Sequence, residues 1–286
     1  MIRLAIPNKG RLAEGARELL DRAGLEMEFR GERALQASLG TDFLALFVRA
    51  RDIPEFVADG AADLGITGGD LVHEAGRPVE KLLDLGFGRC RLVLAARDDA
   101  DVASVSDLPD GVRVATSFPG ATERYFRERG RRVEVVPVSG AAEIAPHLGV
   151  ADVIVDLVST GSTLKVNGLR EVGTLLESTA VLIGRAGLST GPAERQVREL
   201  KAALESVLRA RDKRYLMANV PRSQLDRVKQ VLPGISGPTI VDVLDSGAWV
   251  AAHAVVDARD VYRVIAELKE LGAAGLLVTK IERLMP

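Results

Sequence analysis

The chain of 286 residues has one cysteine, no long apolar run and almost no net charge, and each of these absences excludes a class of protein. Its single cysteine, Cys90, excludes an internal disulfide and favours a reducing compartment, so we expect a cytoplasmic protein. No apolar run approaches the roughly 20 residues that a membrane-spanning helix needs, and the N-terminal segment lacks the apolar core of a signal peptide. The net charge of −2 gives no general attraction to nucleic acid or to anionic membranes. We therefore expect neither kind of partner, and any anion site must be local.

Residues that commonly act as nucleophiles or bases are also scarce. The chain has three histidines, and none lies near Cys90 in the sequence, so the sequence indicates no thiolate nucleophile. His147 lies late in a predicted helix, where a surface or capping position is the more common role. The hydrophobic share of 47% and the charged share of 27% suit a soluble protein with more than one core.

The most informative segment is residues 150–169, VADVIVDLVSTGSTLKVNGL. An apolar, β-branched run at 153–155 predicts a buried strand, and Asp156 ends it. Hydroxyl side chains and a glycine follow. They lie at the start of a short helix that is predicted at 159–166. A glycine-containing turn at a helix start is typical of phosphate binding, because free N–H groups and hydroxyls converge there. The residues concerned are Ser159, Thr160, Gly161, Ser162 and Thr163.

A simpler interpretation of this segment is helix capping, since Ser and Thr commonly open helices. One residue suffices for a cap, whereas four hydroxyls surround Gly161. We therefore favour phosphate binding. Asp152 and Asp156 are two pleats apart on one side of the predicted strand, which would direct both toward hydroxyls or a metal.

The N-terminus repeats the pattern of strand, polar turn and helix. A strand is predicted at 2–6 and a helix at 12–23, with Lys9 and Arg11 in the turn between them. Isolated cations are usually just solvated. Their position at the carboxyl end of a strand, where open α/β sheets bind ligands, favours a ligand site. Asp70 follows another predicted strand and a glycine pair, and on its own it is best interpreted as a helix cap.

The remaining pattern predicts an α/β core followed by a separate small domain. After a polar linker at 98–110, alternating strands and helices favour a mostly parallel sheet. The expected strands of the core are at 42–48, 63–67, 84–88, 89–95, 112–115, 133–138, 152–156, 169–176 and 179–183, and the expected helices are at 53–59, 121–129, 141–148 and 192–211. Beyond residue 212 the predicted order is βαββαβ, the ferredoxin-like arrangement.

Several stretches together resemble the long form of ATP phosphoribosyltransferase, the family that opens histidine biosynthesis. The DLVSTG loop at 156–161 resembles the phosphoribosyl-diphosphate loop of phosphoribosyltransferases. The other matching stretches, in order, are NKGRL at 8–12, RDIP at 51–54 with DLGI at 63–66, GRCRL at 88–92, ATS at 115–117, LPG at 232–234 and PTI at 238–240. The resemblance covers essentially the whole chain.

This resemblance implies a fold and a reaction. The fold is a two-lobed, type II periplasmic-binding-protein-like catalytic core with a C-terminal ferredoxin-like (ACT-like) domain. The reaction transfers the 5-phosphoribosyl group of 5-phosphoribosyl 1-diphosphate to N1 of ATP and releases pyrophosphate, assisted by Mg²⁺ that substrate phosphates and hydroxyls would mainly hold. By resemblance, residues 1–92 with 178–211 form lobe I, 93–177 form lobe II with the phosphoribosyl-diphosphate loop, and 212–286 form the regulatory domain.

The resemblance also distributes roles among residues. The catalytic set is Asp152, Asp156 and Lys9, and residues 159–163 bind the phosphoribosyl diphosphate. The set that binds ATP is Arg11, Asp70, Cys90 and Arg91. L-Histidine is expected to bind the terminal domain as a feedback inhibitor, at Asn219, Ser236, Thr239, Val255 and Gly275. Family members of this form assemble as homo-oligomers, dimers and hexamers.

Three other functions remain open on the sequence. A solute-binding protein would share the two-lobed clamp, although the phosphate loop with its two aspartates argues against it. A purine-salvage phosphoribosyltransferase would share the loop but not the second lobe and the βαββαβ tail. A purely regulatory, ligand-sensing module would keep the tail and would need no phosphate loop. Pyrophosphate release distinguishes an enzyme from either binding module.

Overall fold

The computed structural model describes residues 1–29, 34–188, 191–243 and 247–285. In these residues the strands are β1 (Ile2–Pro7), β2 (Met27–Phe29), β3 (Gln36–Leu39), β4 (Phe43–Val48), β5 (Leu64–Gly68), β6 (Val79–Asp84), β7 (Cys90–Arg97), β8 (Val112–Thr116), β9 (Val133–Pro137), β10 (Val153–Val158), β11 (Leu169–Ser178), β12 (Ala180–Arg185), β13 (Lys213–Pro221), β14 (Thr239–Asp242), β15 (Trp249–Asp257) and β16 (Ala274–Lys280). The α-helices are α1 (Arg11–Arg22), α2 (Ile53–Ala58), α3 (Gly69–Ala75), α4 (Pro119–Glu128), α5 (Ser162–Val166), α6 (Glu194–Ala210), α7 (Leu225–Val231) and α8 (Val261–Glu270).

The chain divides into two compact units, Met1–Lys201 and Ala202–Pro286. The first unit contains two sheets. One has the strand order β2-β3-β4-β1-β5-β12-β6, and the other has the order β11-β7-β10-β8-β9. The strand β12 returns to the first sheet, where it runs antiparallel to β5 and β6. The chain therefore crosses between the sheets twice, once between β6 and β7 and once between β11 and β12.

The two crossing segments are bonded to each other. The N–H of Leu85 donates to the carbonyl of Ala180 at 2.9 Å, and the N–H of Ala180 donates to the carbonyl of Phe87 at 2.8 Å. The Asp84 carboxylate accepts the Thr179 hydroxyl at 2.8 Å and the Gly86 N–H at 2.9 Å. These bonds make the double crossing a small ordered element and not two independent linkers.

The second unit contains a four-stranded antiparallel sheet with the order β14-β15-β13-β16. Its burial alternates along β15, so one face packs on the helices and the other is open. The core on the packed face includes Leu216, Val250, Val264 and Leu268. The predicted fold class is confirmed, with an α/β core of two sheets and a ferredoxin-like βαββαβ unit after it.

Some local predictions were wrong. The strand expected at 84–88 lies earlier, at Val79–Asp84, because Gly86 and Gly88 have φ of 63° and 64° and cannot continue an extended strand. The helix expected at 141–148 is only a short 3₁₀ turn at Ala142–Ile144, since Pro146 removes a donor that a helix would need. The sheet that was expected to be mostly parallel is also mixed, since β10 is parallel to β8 but antiparallel to β7, and in the first sheet β1 is parallel to β4 whereas β12 is antiparallel to β5.

Candidate active site

The hydroxyl-rich segment forms the turn between β10 and α5. The helix begins later than expected, at Ser162, and has five residues, so it supplies little dipole. Gly161 adopts φ of 78°, a left-handed conformation that favours glycine. The Thr160 and Ser162 hydroxyls lie 3.1 Å apart. The turn therefore offers several exposed donors from one short stretch of chain.

A cavity of about 300 Å³ lies over this turn and brings together residues from three parts of the first unit. It gathers all five predicted loop residues with Asp156 and Arg11, which the sequence assigned to different ligands. It also contains Glu143, which the sequence analysis did not select. The lining is Arg11, Glu143, Asp156, Leu157, Val158, Ser159, Thr160, Gly161, Ser162, Thr163 and Leu164.

Asp156 is the partly buried carboxylate of this cavity. Burial raises its pKa above the ordinary value, its bond from the Leu157 N–H opposes the rise, and the nearby charge of Glu143 adds to it. The Leu157 N–H donates to Asp156 Oδ1 at 2.8 Å. Two carboxylates that repel each other favour a ligand carrying positive charge or hydroxyl donors. The pair is therefore suited to a sugar whose ring becomes cationic, or to a metal ion bound together with ligand oxygens.

Asp152 lies elsewhere, which corrects the expectation that both aspartates face one ligand. It precedes β10, at the end opposite to the loop, and does not line the cavity. Its two oxygens accept hydrogen bonds from Arg113, including one from Nη2 to Oδ1 at 2.7 Å and one from the backbone N–H to Oδ2 at 3.0 Å. The bond from Arg113 is the main reason that the pKa of Asp152 is lowered.

Replacing Asp152 with Asn should weaken the fold slightly in a pH-dependent way. A carboxyl whose folded pKa is lowered contributes stability above its unfolded pKa and loses it as the pH falls through the folded value. Exposed ion pairs contribute roughly 0–1 kcal/mol, so we expect the melting temperature of D152N to fall by about 1–3 °C at pH 7. Thermal unfolding should show this gap closing below about pH 4. D101N, at an exposed aspartate, is the control, and an equal shift in both variants would contradict the assignment.

A second, larger cavity of about 720 Å³ adjoins the first and shares Val158 and Ser159 with it. Cys90 and Arg91, which were both predicted to bind ATP, line this cavity. Lys9, which was predicted to be catalytic, is exposed in the β1–α1 turn and lines neither cavity. The other residues of its wall are Gly69, Val72, His73, Lys81, Asp84, Arg89, Leu176, Glu177, Ser178, Thr179, Val181 and Ile183.

Asp70 lies buried just behind this wall. Its carboxylate accepts the Ser178 hydroxyl at 2.6 Å, and its own N–H donates to the same hydroxyl oxygen at 2.8 Å. Burial raises the pKa of the Cys90 thiol, and the charge of Asp70 raises it further. A thiol of raised pKa stays protonated at neutral pH, so Cys90 is suited to be a wall contact and not a nucleophile. Arg91 is paired with Glu171, its Nη2 lying 3.0 Å from Oε2.

Four of the five residues predicted to bind histidine are on the open face of the C-terminal sheet or at its edge. Gly275 lies against Asn219, since a Cβ at Gly275 would be 3.2 Å from Asn219 Nδ2. Thr239 pairs with His253 on β15, whereas Asn219 pairs with Ala251, so the two residues are two strands apart, about 10 Å, and also two residues apart along the strands. Val255 pairs with Tyr215, and Ser236 lies in the exposed turn before β14. Within one chain these residues form a broad face and not one pocket.

Among the described residues, no group of three or more His, Cys, Asp or Glu side chains could hold a metal ion by itself. No helix in the described ranges has both the length and the apolar character required to cross a membrane.

Comparison with known proteins decides the family. The family described as ATP phosphoribosyltransferase matches residues 49–206, and "HisG, C-terminal domain" matches residues 210–283. An ATP phosphoribosyltransferase from Gemmatimonas aurantiaca is 61% identical over 292 residues, covering 100% of both chains. The chain belongs to the ATP phosphoribosyltransferase family.

Other relatives agree with this membership. An ATP phosphoribosyltransferase from Halobacterium salinarum is 50% identical over 99% of this chain and 100% of its own length. Among solved structures, the ATP phosphoribosyl transferase (HisG:HisZ) complex from Thermotoga maritima matches with a TM-score of 0.62 and 29% identity, covering 72% of this chain and 99% of that one. The predicted enzyme class is confirmed. The chain is an ATP phosphoribosyltransferase of the family that acts at the first step of histidine biosynthesis.

Proposed function

We propose that the enzyme transfers the 5-phosphoribosyl group from 5-phosphoribosyl 1-diphosphate to N1 of the adenine of ATP, giving phosphoribosyl-ATP and pyrophosphate. The observation that carries the proposal is the pair of adjoining cavities, which share Val158 and Ser159 at the turn after β10. One cavity has hydroxyls and carboxylates suited to a sugar phosphate. The other is large enough for a nucleotide and has a partly apolar wall.

The smaller cavity would bind the phosphoribosyl diphosphate. The hydroxyls of Ser159, Thr160, Ser162 and Thr163 would hydrogen-bond the 5-phosphate, and Gly161 lets that anion approach the backbone. Asp156 and Glu143 would accept the ribose hydroxyls. Arg11 would face the diphosphate, since it is the cation in the lining of this cavity.

Catalysis would then consist mainly of positioning and electrostatic stabilisation. The C1–oxygen bond breaks and its electron pair leaves with the diphosphate, while the lone pair on adenine N1 forms the new C1–N1 bond. Positive charge develops on the ribose ring between these events, and Asp156 and Glu143 would stabilise it. No strong general base is required, because N1 already carries a free lone pair. The pairing of Asp152 with Arg113 supports a structural role for that residue, and the exposure of Lys9 leaves its predicted catalytic role without support in this geometry.

Mg²⁺ fits this site only together with substrate. Asp156 and Glu143 supply two carboxylates, and Mg²⁺ is often held by one or two carboxylates with substrate phosphates and waters. When bound, it would offset negative charge on the leaving diphosphate. We therefore propose Mg²⁺ as a cofactor that arrives with the phosphoribosyl diphosphate.

The larger cavity would bind ATP. Cys90 would be an apolar contact, Arg91 would face the phosphates, and Asp70 would fix the wall through Ser178. Arg11, in the neighbouring cavity, would lie close to the bond that forms. We also retain the proposed division into lobe I (1–92 with 178–211), lobe II (93–177) and a regulatory domain (212–286), and the proposed cytoplasmic location.

Regulation by L-histidine is the second part of the proposal. The ligand would bind the open face of the C-terminal sheet, near Asn219 and Gly275 or near Thr239 and Val255. Because these pairs are more than about 10 Å apart on one chain, an amino acid could not contact all of them on that chain at once. Assembly into homo-oligomers, dimers and hexamers, would place a second copy of this face nearby.

The test is pyrophosphate release from 5-phosphoribosyl 1-diphosphate and Mg²⁺, with ATP or hypoxanthine as acceptor, each with and without L-histidine. We expect release with ATP, none with hypoxanthine, and suppression by histidine. Release with ATP that ignores histidine would retain the enzyme and remove the regulatory part. A folded sample that releases pyrophosphate with neither acceptor would contradict the proposed reaction.

A further inference from the structure

Helix α3 touches both sheets of the first unit and forms part of the larger cavity. Leu71 packs against the core of the second sheet, whereas Val72, the next residue, packs against the core that includes Ile53 and Val181 of the first. Gly69, Val72 and His73 also line the cavity. The position of this cavity wall therefore depends on how α3 is held between the sheets.

The side chain of Glu74, near the end of α3, caps helix α4 of the other sheet. The residue before α4 is Phe118, which has no capping side chain, and Pro119 has no N–H. The next two N–H groups would lack partners in the first turn. Glu74 accepts both, Oε1 from Gly120 at 3.1 Å and Oε2 from Ala121 at 2.8 Å. A carboxylate here also meets the positive end of the α4 dipole.

Arg124 of α4 makes the reciprocal contact. Its guanidinium donates to the carbonyl of His73 and, at 3.1 Å, to the carbonyl of Glu74. These carbonyls lie at the C-terminal end of α3, where a helix leaves acceptors unpaired and favours a cation. Glu74 thus caps the start of α4, and Arg124 in return binds two carbonyls at the end of α3, beside the backbone cap that Gly76 provides there.

The backbones approach closely enough that one position must be glycine. A Cβ on Gly120 would lie 2.8 Å from the carbonyl oxygen of Glu74, closer than real Cβ contacts come. A third residue joins the same region, because Arg51 donates to the carbonyl of Ser117 at 2.9 Å and lies over the Phe118 ring at 5.4 Å. The contact between the two sheets here is therefore specific in both charge and shape.

We propose that Glu74 and Arg124 are positioning residues that hold α3 against α4 and so set the separation of the two sheets at which the ATP cavity is formed. The inference rests on the proposed function for its kinetic consequences, but not for its structural ones. Ten of the eleven residues lining the smaller cavity belong to the second sheet and its loops, Arg11 being the exception. Loss of the contact should therefore disturb ATP far more than phosphoribosyl diphosphate.

The kinetic test compares E74A and R124A with E123A and R127A, which alter exposed residues of α4. We expect E74A and R124A each to raise the KM for ATP about tenfold and to lower kcat, with the Kd for phosphoribosyl diphosphate within twofold of wild type. E74Q, which keeps one acceptor oxygen, should recover part of the loss. If the two residues act as a unit, the double variant E74A/R124A should lose little more kcat/KM for ATP than either single variant.

The structural test does not depend on activity. Hydrogen exchange at the amides of Gly120 and Ala121 should accelerate in E74A and stay at the wild-type rate in E123A, because Glu74 is the acceptor for both N–H groups. G120A should accelerate the same exchange and raise the KM for ATP while both charged groups remain. Unchanged exchange in E74A would overturn the inference, and so would equal weakening of both substrates. If the wild-type protein shows no turnover, the proposed function is wrong, and the hydrogen-exchange result alone then decides whether Glu74 and Arg124 hold α3 against α4.

Discussion

Replacing Asp156 with Asn should reduce turnover by about 10²–10³-fold, a loss of the size seen when one electrostatic contact to a transition state is removed. Asn has nearly the same shape and can still accept the Leu157 N–H, so the change removes charge with little other disturbance. The ribose would lose a stabilising anion at the moment when its ring becomes cationic. Pyrophosphate release under saturating ATP and phosphoribosyl diphosphate measures this effect directly.

The same substitution should leave stability unchanged or raise it. The pKa of Asp156 is raised, chiefly by burial, so its contribution to folding is favourable at low pH and is lost as the pH rises through the folded value. At neutral pH the folded state holds a partly buried charge, which Asn removes. We therefore expect D156N to melt at or above the wild-type temperature while it loses activity.

D152N is the control for both turnover and melting temperature, and we expect it to differ from D156N in each of them. Its charge pairs with Arg113 away from the cavity, so we expect it to melt slightly lower while it keeps most of its turnover. Equal losses of activity in D152N and D156N would contradict the assignment of the sugar site. The wild-type kcat/KM should also fall on its acid side at a pH above the ordinary carboxyl pKa, because Asp156 must be ionised to act.

Site residues were predicted best from the sequence where they are adjacent in the chain. All five residues of the loop at 159–163 line one cavity with Asp156, because a strand and the turn after it place their residues together without help from elsewhere. Arg11 joins them from the first sheet, as expected for a turn at the carboxyl end of a strand. The βαββαβ order of the second unit also follows from local sequence patterns, and every element of that order is present in the structure.

Failures occurred where a long-range partner decides the outcome. Two-residue periodicity placed Asp152 and Asp156 on one side of a strand, but could not show that Arg113, 39 positions earlier, takes the Asp152 carboxylate. Glu143 lies in the segment 141–148, which was predicted as a helix and forms only a 3₁₀ turn at Ala142–Ile144, so the predicted pattern did not place its side chain at the site. Glu74 and Arg124 escaped notice because helix caps are usually sought within a few residues of the helix itself.

Replacing Asn219 with Ala should raise the L-histidine concentration for half-inhibition at least tenfold while leaving uninhibited turnover unchanged. Asn219 carries both a donor and an acceptor, the groups that the carboxylate and ammonium of an amino acid require. It is exposed on the open sheet face, and Gly275 beside it adopts φ of 59° and leaves space over its amide. Inhibition curves at fixed substrate concentrations measure the shift.

The choice between the two ends of the open face follows from two threonine variants. T239V alters the strand β14, and T279V alters β16 at a position that pairs with Tyr215 on the same face. If histidine contacts both predicted ends through assembly of two chains, N219A and T239V should each weaken inhibition and T279V should not. If one chain binds it at Asn219 and Gly275 alone, T239V should behave like T279V. Full histidine sensitivity in N219A would contradict this site, because no other predicted residue next to Gly275 offers the side-chain amide that the ligand would require.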